Sequence, residues 1–332
     1  MGKGRVAVIG TGGTISAIGR DAFDLKDYDT NGVMLDAAEL LARCPRAECE
    51  PDCYAFPFSA VSSTSIGFAE WRRLALLCGE LVDRDPELAG IVITHGTATL
   101  EETAYFLHLT VKVGIPVVLT GAMRPWNGVS SDAALNLRNA IRVAACPQAT
   151  GLGVLVVMND EIHSARDVTK SSTSRLHAFQ SPGHGPLGQA EADRIVLYRR
   201  PLRDHAPNTE FAIEAVEALP RVDILYAYTG SDGALARAAI AAGARGIVSA
   251  GFAPGESPEL EETALREAVA SGIIVVQSTR VGSGRVPPTS RLAANGFVGT
   301  DDLTPQKARI LLALALTRTS DFQRIDQMFR RY

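Results

Sequence analysis

The segment GIVITHGTATLEETAYFL, residues 90–107, decides how the chain folds. Apolar β-formers run from Gly90 to Thr94 and stop at His95-Gly96-Thr97. A helical pattern follows, with Glu101 and Glu102 suited to its first turn. The stretch reads as a strand, a tight turn and a helix N-terminus. Thr97 and Thr99 sit at the tip, where a ligand would meet backbone N–H groups. Between them stands Ala98, which has no polar group to offer.

The same unit recurs on both sides. Short Val- and Ile-rich runs at 5–10, 115–121, 153–159 and 194–198 are bounded by Gly, Pro or polar residues. Segments 67–84, 99–113 and 131–145 carry apolar residues at three- and four-residue spacing. Fully apolar strands alternating with helices predict an α/β fold with a mainly parallel sheet covered on both faces. A charged stretch with two prolines, YRRPLRDHAPNT, then reads as a linker. A second series follows: strands at 223–230, 246–252 and 273–279, and helices near 232–243, 258–271, 305–317 and 320–330. The expected division is an N-terminal domain over 1–198, a linker over 199–212 and a smaller α/β domain over 213–332. Thr304 and Pro305 are expected to cap and open the helix at 305. In open sheets ligands gather at the C-terminal strand ends, which places the turns after 9, 94, 120 and 158 on one rim.

Composition narrows the partners. The 332 residues are 46% hydrophobic and carry a net charge of −4, so a basic nucleic-acid footprint is missing. No run reaches the roughly 18–20 apolar residues of a membrane span. The apolar run after MGKGR is too short for a signal peptide, and a cytoplasmic protein is expected. Cys44, Cys49 and Cys53 lack metal-site spacing, so free thiols and no metal are expected.

The rim loops are rich in Thr, Ser and Gly. The first, VIGTGGTISA, fails the dinucleotide pattern because Ile15 takes the place of its last glycine. Lys170 lies among Thr169, Ser171, Ser172 and Thr173. A threonine nucleophile needs a base, and a lysine of lowered pKa can be one. Glycine-rich turns supply N–H donors for an oxyanion. There is no G-x-S-x-G elbow, which disfavours a Ser-His-Asp hydrolase.

Five motifs in order now stand out: TGGTIS (11–16), ITHGTATLEETAYFLHLTVK (93–112), PVVLTGAMRP (116–125), VMNDEIHSARDVTK (157–170) and TPQKARILLALALT (304–317). Together they resemble the bacterial L-asparaginase/glutaminase family. The resemblance implies two α/β domains, a homotetramer built as a dimer of intimate dimers, a site completed across a dimer interface, and no metal or organic cofactor. It implies hydrolysis of a small-molecule amide through an acyl-enzyme on threonine. Residue by residue, Thr14 matches the usual nucleophile and Tyr28, on a lid, its partner. Thr97 and Lys170 match the second catalytic group. Ser63 matches the serine that holds the substrate carboxylate, and Ala122 the residue whose carbonyl faces the leaving amide. Gly13 and Gly96 complete the substrate-binding loops.

The departures point one way. The family's Asp in His-Gly-Thr-Asp-Thr is Ala98, and its Gln after the serine is Thr64. The neighbouring subunit's Asn is missing from the loop reading GFAPGESPE, and its Glu from the loop reading GRVPPTSRLAANGFV, where Arg291 falls near the Glu position. All of these contact an α-ammonium group in the family, and an ammonium stripped of acceptors is costly to bury. The expected substrate is therefore a carboxylate-bearing amide, imide or lactone without a free α-amino group, with Ser63 and Arg291 suited to the carboxylate. The alternatives are an ordinary L-asparaginase in which Asp132 or Glu161 replaces the lost Asp, and a non-catalytic small-molecule binder. An oxidoreductase ranks last. Asp132 otherwise reads as a helix cap, and Trp126 as rim packing.

Overall fold

The computed structural model describes residues 4–47, 50–58 and 61–332. The chain divides into two compact units, the first ending at Thr209 and the second spanning Glu210–Tyr332.

In the first unit the strands are β1 (Arg5–Gly10), β2 (Cys53–Phe56), β3 (Leu88–Thr94), β4 (Val117–Thr120), β5 (Val154–Met158), β6 (Glu161–Ser164), β7 (Thr169–Lys170), β8 (Phe179–Gln180), β9 (Gly188–Ala190) and β10 (Ile195–Leu197). Eight form one sheet in the order β10-β9-β6-β5-β4-β3-β1-β2, while β7 and β8 make a separate ribbon. The helices are α1 (Ala37–Arg43), α2 (Phe68–Arg84), α3 (Leu100–Thr110) and α4 (Ala133–Ala144). Strands β2 to β5 lie parallel around β1 and β3, as the apolar runs predict. Ile91, Val92 and Ile93 are fully buried, so both faces of β3 are covered. The register pairs Gly10 with Thr94 and Thr94 with Thr120, which brings three strand ends level on one rim.

The fourth rim turn differs from expectation. Asn159 and Asp160 both adopt positive φ, 50° and 64°, and close a two-residue hairpin. Such turns match the twist of antiparallel strands, and Asn and Asp tolerate them. The chain therefore reverses into β6, which runs antiparallel to β5. Residues 161–164 are strand rather than rim loop, and Lys170 arrives from the β7–β8 ribbon.

The segment after β10 stays with the first unit. Ala206 N–H donates to the His108 carbonyl, and Lys112 Nζ donates to the carbonyls of Pro207 and Thr209.

The second unit holds a parallel sheet of β11 (Val222–Tyr226), β12 (Gly246–Gly251), β13 (Ile274–Thr279) and β14 (Phe297–Gly299) in sequential order. Helices α5 (Ala234–Ala241), α6 (Glu259–Ala270), α7 (Ser290–Asn295), α8 (Pro305–Leu316) and α9 (Phe322–Arg331) belong to it. Pro305 takes the first helical position of α8, but the Thr304 side chain makes no capping bond. Among the described residues no helix is long and apolar enough to cross a membrane.

Candidate active site

Four loops meet at the rim of the first unit, and glycines permit it. Gly12 and Gly13 have φ of 93° and 84°, conformations that favour glycine. A Cβ on Gly13 would lie 2.2 Å from Gly96 Cα, so the first two rim loops touch backbone to backbone. A Cβ on Gly96 would stand 2.7 Å from Ser63 Oγ. One on Gly121 would be 2.7 Å from the His95 carbonyl and 3.1 Å from Thr97 Cγ2. Thr14, Ser63, Thr97 and Ala122 therefore belong to one constellation.

Two hydroxyls carry a partner that suits proton transfer. Thr14, on a short 3-10 turn after the glycines, lies 2.9 Å from the Tyr28 hydroxyl. Tyr28 comes from the segment 19–33, which is fastened by Gly19 N–H to Asn127 Oδ1 and by Val129 N–H to the Ala22 carbonyl. Lys170 Nζ donates to Thr97 Oγ1 over 2.8 Å. Burial lowers the Lys170 pKa from 10.5, and the negative charge of Glu101 opposes that shift.

Ser63 is buried, and its carbonyl accepts from Thr99 Oγ1. Thr64 is exposed and shares a hydrogen bond with Ser62. Ala98 is exposed between Thr97 and Thr99. Ala122 is fully buried. Arg291 lies in the second unit, where it pairs with Glu262 and Glu256.

The two residues considered as substitutes for the lost carboxylate are engaged elsewhere. Asp132 accepts from Met123 N–H at 2.9 Å, Arg124 N–H at 3.0 Å and Asn136 Nδ2 at 2.9 Å. It makes no capping bond to α4, so it is an anchor of loop 121–124 rather than a helix cap. Burial raises its pKa. Glu161 receives His177 Nε2 at 3.0 Å and faces His163 Nε2 at 3.3 Å, and its pKa is lowered by those histidines. The carboxylate beside Lys170 is Glu101, whose Oε1 lies 3.4 Å from the Lys170 backbone N–H. A helix-terminal role alone does not describe it.

Asn136 also escaped the sequence analysis. Its amide donates to the Gly121 carbonyl at 3.0 Å and accepts from Asn159 N–H at 2.9 Å, tying two rim loops together. The signal was present: an amide four residues after Asp132, on the apolar face of α4. Trp126 packs against the core, and its backbone N–H donates to the Ala17 carbonyl. Cys44 and Cys53 are free thiols that donate to carbonyls, while Cys49 lies outside the described residues. Among the described residues no His, Cys, Asp or Glu cluster is suited to a metal ion.

A threonine paired with a tyrosine and a second paired with a lysine of lowered pKa are arrangements in which a hydroxyl can be activated as a nucleophile. Residues 5–203 match the family model described as Asparaginase, N-terminal, and residues 221–329 match the Glutaminase/Asparaginase C-terminal domain. The chain belongs to the asparaginase family. L-asparaginase 2 of Bacillus subtilis is 40% identical over 98% of this chain and 86% of its own. The glutaminase-asparaginase of Pseudomonas fluorescens is 37% identical over 98% of this chain and 90% of its own. The crystal structure of a probable cytoplasmic L-asparaginase from Campylobacter jejuni superposes with a TM-score of 0.94 at 38% identity, covering 99% of this chain and 100% of that one. This asparaginase-family chain is an amidohydrolase with the two-domain asparaginase fold.

Proposed function

We propose that this family member hydrolyses a small carboxylate-bearing amide, imide or lactone that lacks a free α-amino group. Ala98 carries the reading: an exposed methyl stands between the two threonines where the family holds a carboxylate. Asp132 is held by backbone N–H groups and Glu161 by histidines, which leaves both unsuited to replace it. Arg291 already pairs with Glu262 and Glu256, so Ser63 is the better holder of a substrate carboxylate.

In this mechanism Thr14 Oγ1 attacks the acyl carbon and passes its proton to the Tyr28 oxygen, 2.9 Å away, while the Tyr28 hydroxyl hands its own proton on toward the leaving group. N–H groups of the glycine turns stabilise the oxyanion. The C–N or C–O bond breaks as the leaving group takes a proton, and water releases the acyl group. Thr97 is the competing nucleophile, with neutral Lys170 as its base at 2.8 Å. Neither route draws on a metal or organic cofactor. The likeness to the family supports a homotetramer in which the second unit of a neighbour completes the site. The description of the Campylobacter relative supports a cytoplasmic location.

A second reading has its own observation. The relatives at 37–40% identity are named L-asparaginase or glutaminase-asparaginase, which favours ordinary L-asparagine hydrolysis. A binder without turnover is disfavoured by the Thr14–Tyr28 and Thr97–Lys170 pairs. The test is a hydrolysis panel of L-asparagine, D-asparagine, L-glutamine, succinamate, N-acetyl-asparagine and small lactones and imides, with Thr14→Ala and Thr97→Ala as blanks. The proposal expects turnover only of compounds without a free α-amine. Robust Thr14-dependent turnover of L-asparagine would overturn it.

A further inference from the structure

His95 is a fully buried histidine that the mechanism leaves unused. Its Nδ1 lies 2.8 Å from the Gly96 carbonyl and its Nε2 lies 2.9 Å from Thr103 Oγ1. Trp71 Nε1 reaches the same Thr103 oxygen over 2.8 Å.

Donor chemistry orders this chain in one direction. A carbonyl only accepts, so Nδ1 carries the imidazole proton. An indole N–H only donates, so Thr103 accepts from Trp71 and gives its own proton to Nε2. Burial holds the ring's pKa at about 4, which keeps it neutral near pH 7. The indole is itself locked, stacking on Phe106 with centroids 5.0 Å apart.

The chain ends on the peptide that carries the second threonine. In a planar trans peptide the carbonyl and the N–H point opposite ways. Holding the Gly96 carbonyl toward His95 therefore aims the Thr97 N–H away from it. The same peptide sets the position of Thr97 Oγ1, which Lys170 approaches.

We propose that Trp71 and Thr103 are positioning residues for the Thr97–Lys170 pair, acting through the His95 ring on the Gly96–Thr97 peptide. This rests on the reading that Thr97 and Lys170 take part in turnover. It assigns work to α2 and α3, which supply neither nucleophile nor base.

The experiment compares Thr103→Val, which keeps the side chain's shape and removes its hydroxyl, with Thr103→Ser, which keeps the hydroxyl. Trp71→Phe removes the first donor. Nitrogen-15 NMR of the imidazole reports the tautomer, the Thr97 amide resonance reports the peptide, and steady-state kinetics separate kcat from KM. Urea unfolding checks that each variant is folded under assay conditions. Thr103→Val is expected to shift the Thr97 amide, to mix the His95 tautomers, and to lower kcat by about tenfold or more with KM within about twofold. Thr103→Ser is expected to restore all three. An unchanged kcat in folded Thr103→Val overturns the proposal. If the wild type turns over none of the panel amides, the functional reading fails by itself. The positioning claim is then decided by NMR, and an unmoved Thr97 amide in Thr103→Val and Trp71→Phe overturns it.

Discussion

At Lys170, burial and a neighbouring carboxylate pull in opposite directions, and burial is the larger effect. The folded-state pKa lies below 10.5, so the neutral amine that the proposed base role requires forms at lower pH than in a free lysine. We expect kcat/KM to climb along a limb below pH 10.5 that Lys170→Met abolishes. Glu101→Gln removes the opposing charge and should move the limb further down; a limb that stays or rises contradicts the assignment. Stability shares the sign. Between the folded value and 10.5 the unfolded chain binds more proton, so stability rises with pH through that window. Ala98 gives the complementary test. Ala98→Asp returns an acceptor for an α-ammonium, and asparagine kcat/KM should rise about tenfold or more while deaminated substrates lose ground. Thr14, Thr97 and Lys170 stood out as candidates because hydroxyl and amine residue types in Gly- and Ser-rich loops can be read without the fold. Glu101 was not, because it meets the Lys170 backbone across 69 residues of chain.

Among the elements, α4 does more than cover the sheet. Asn136 in its first turn and Asp132 immediately before it hold the loop after β4 and, through Asn159, the hairpin after β5. Asn136→Ala leaves the Gly121 carbonyl and Asn159 N–H without that partner. Its expected cost is about 2–3 kcal/mol in urea unfolding, accompanied by lower kcat. Wild-type stability and turnover in that variant would show that the loops hold without the amide. The long parallel strands and amphipathic helices were legible from periodicity. The β5–β6 hairpin was not, because two residues with positive φ reversed a chain that reads as a loop. Strands as short as Thr169–Lys170 owe their form to a partner strand and carry no period of their own.

Over the whole molecule, acid should be felt at His95. Its folded pKa of about 4 lies below the ordinary 6.5, so only the unfolded chain takes up this proton between those values. Stability is retained above 6.5 and lost as pH falls toward 4, by roughly 3 kcal/mol from this group. Urea midpoints across that range should fall, and His95→Asn should flatten the slope. Sedimentation should give four times the chain mass if the proposed tetramer holds. The sequence by itself determined the α/β class, the order of the long elements and the residue types in the turns after β1, β3 and β4. Alternating periods and glycine-rich turns are local properties, written within each segment. Only the tertiary structure decided which groups meet: Lys170 with Thr97, Glu101 with the Lys170 backbone, and Asp132 with a loop rather than a vacant carboxylate position. Those pairings depend on strand register and hairpin reversal, which bring together groups far apart along the chain.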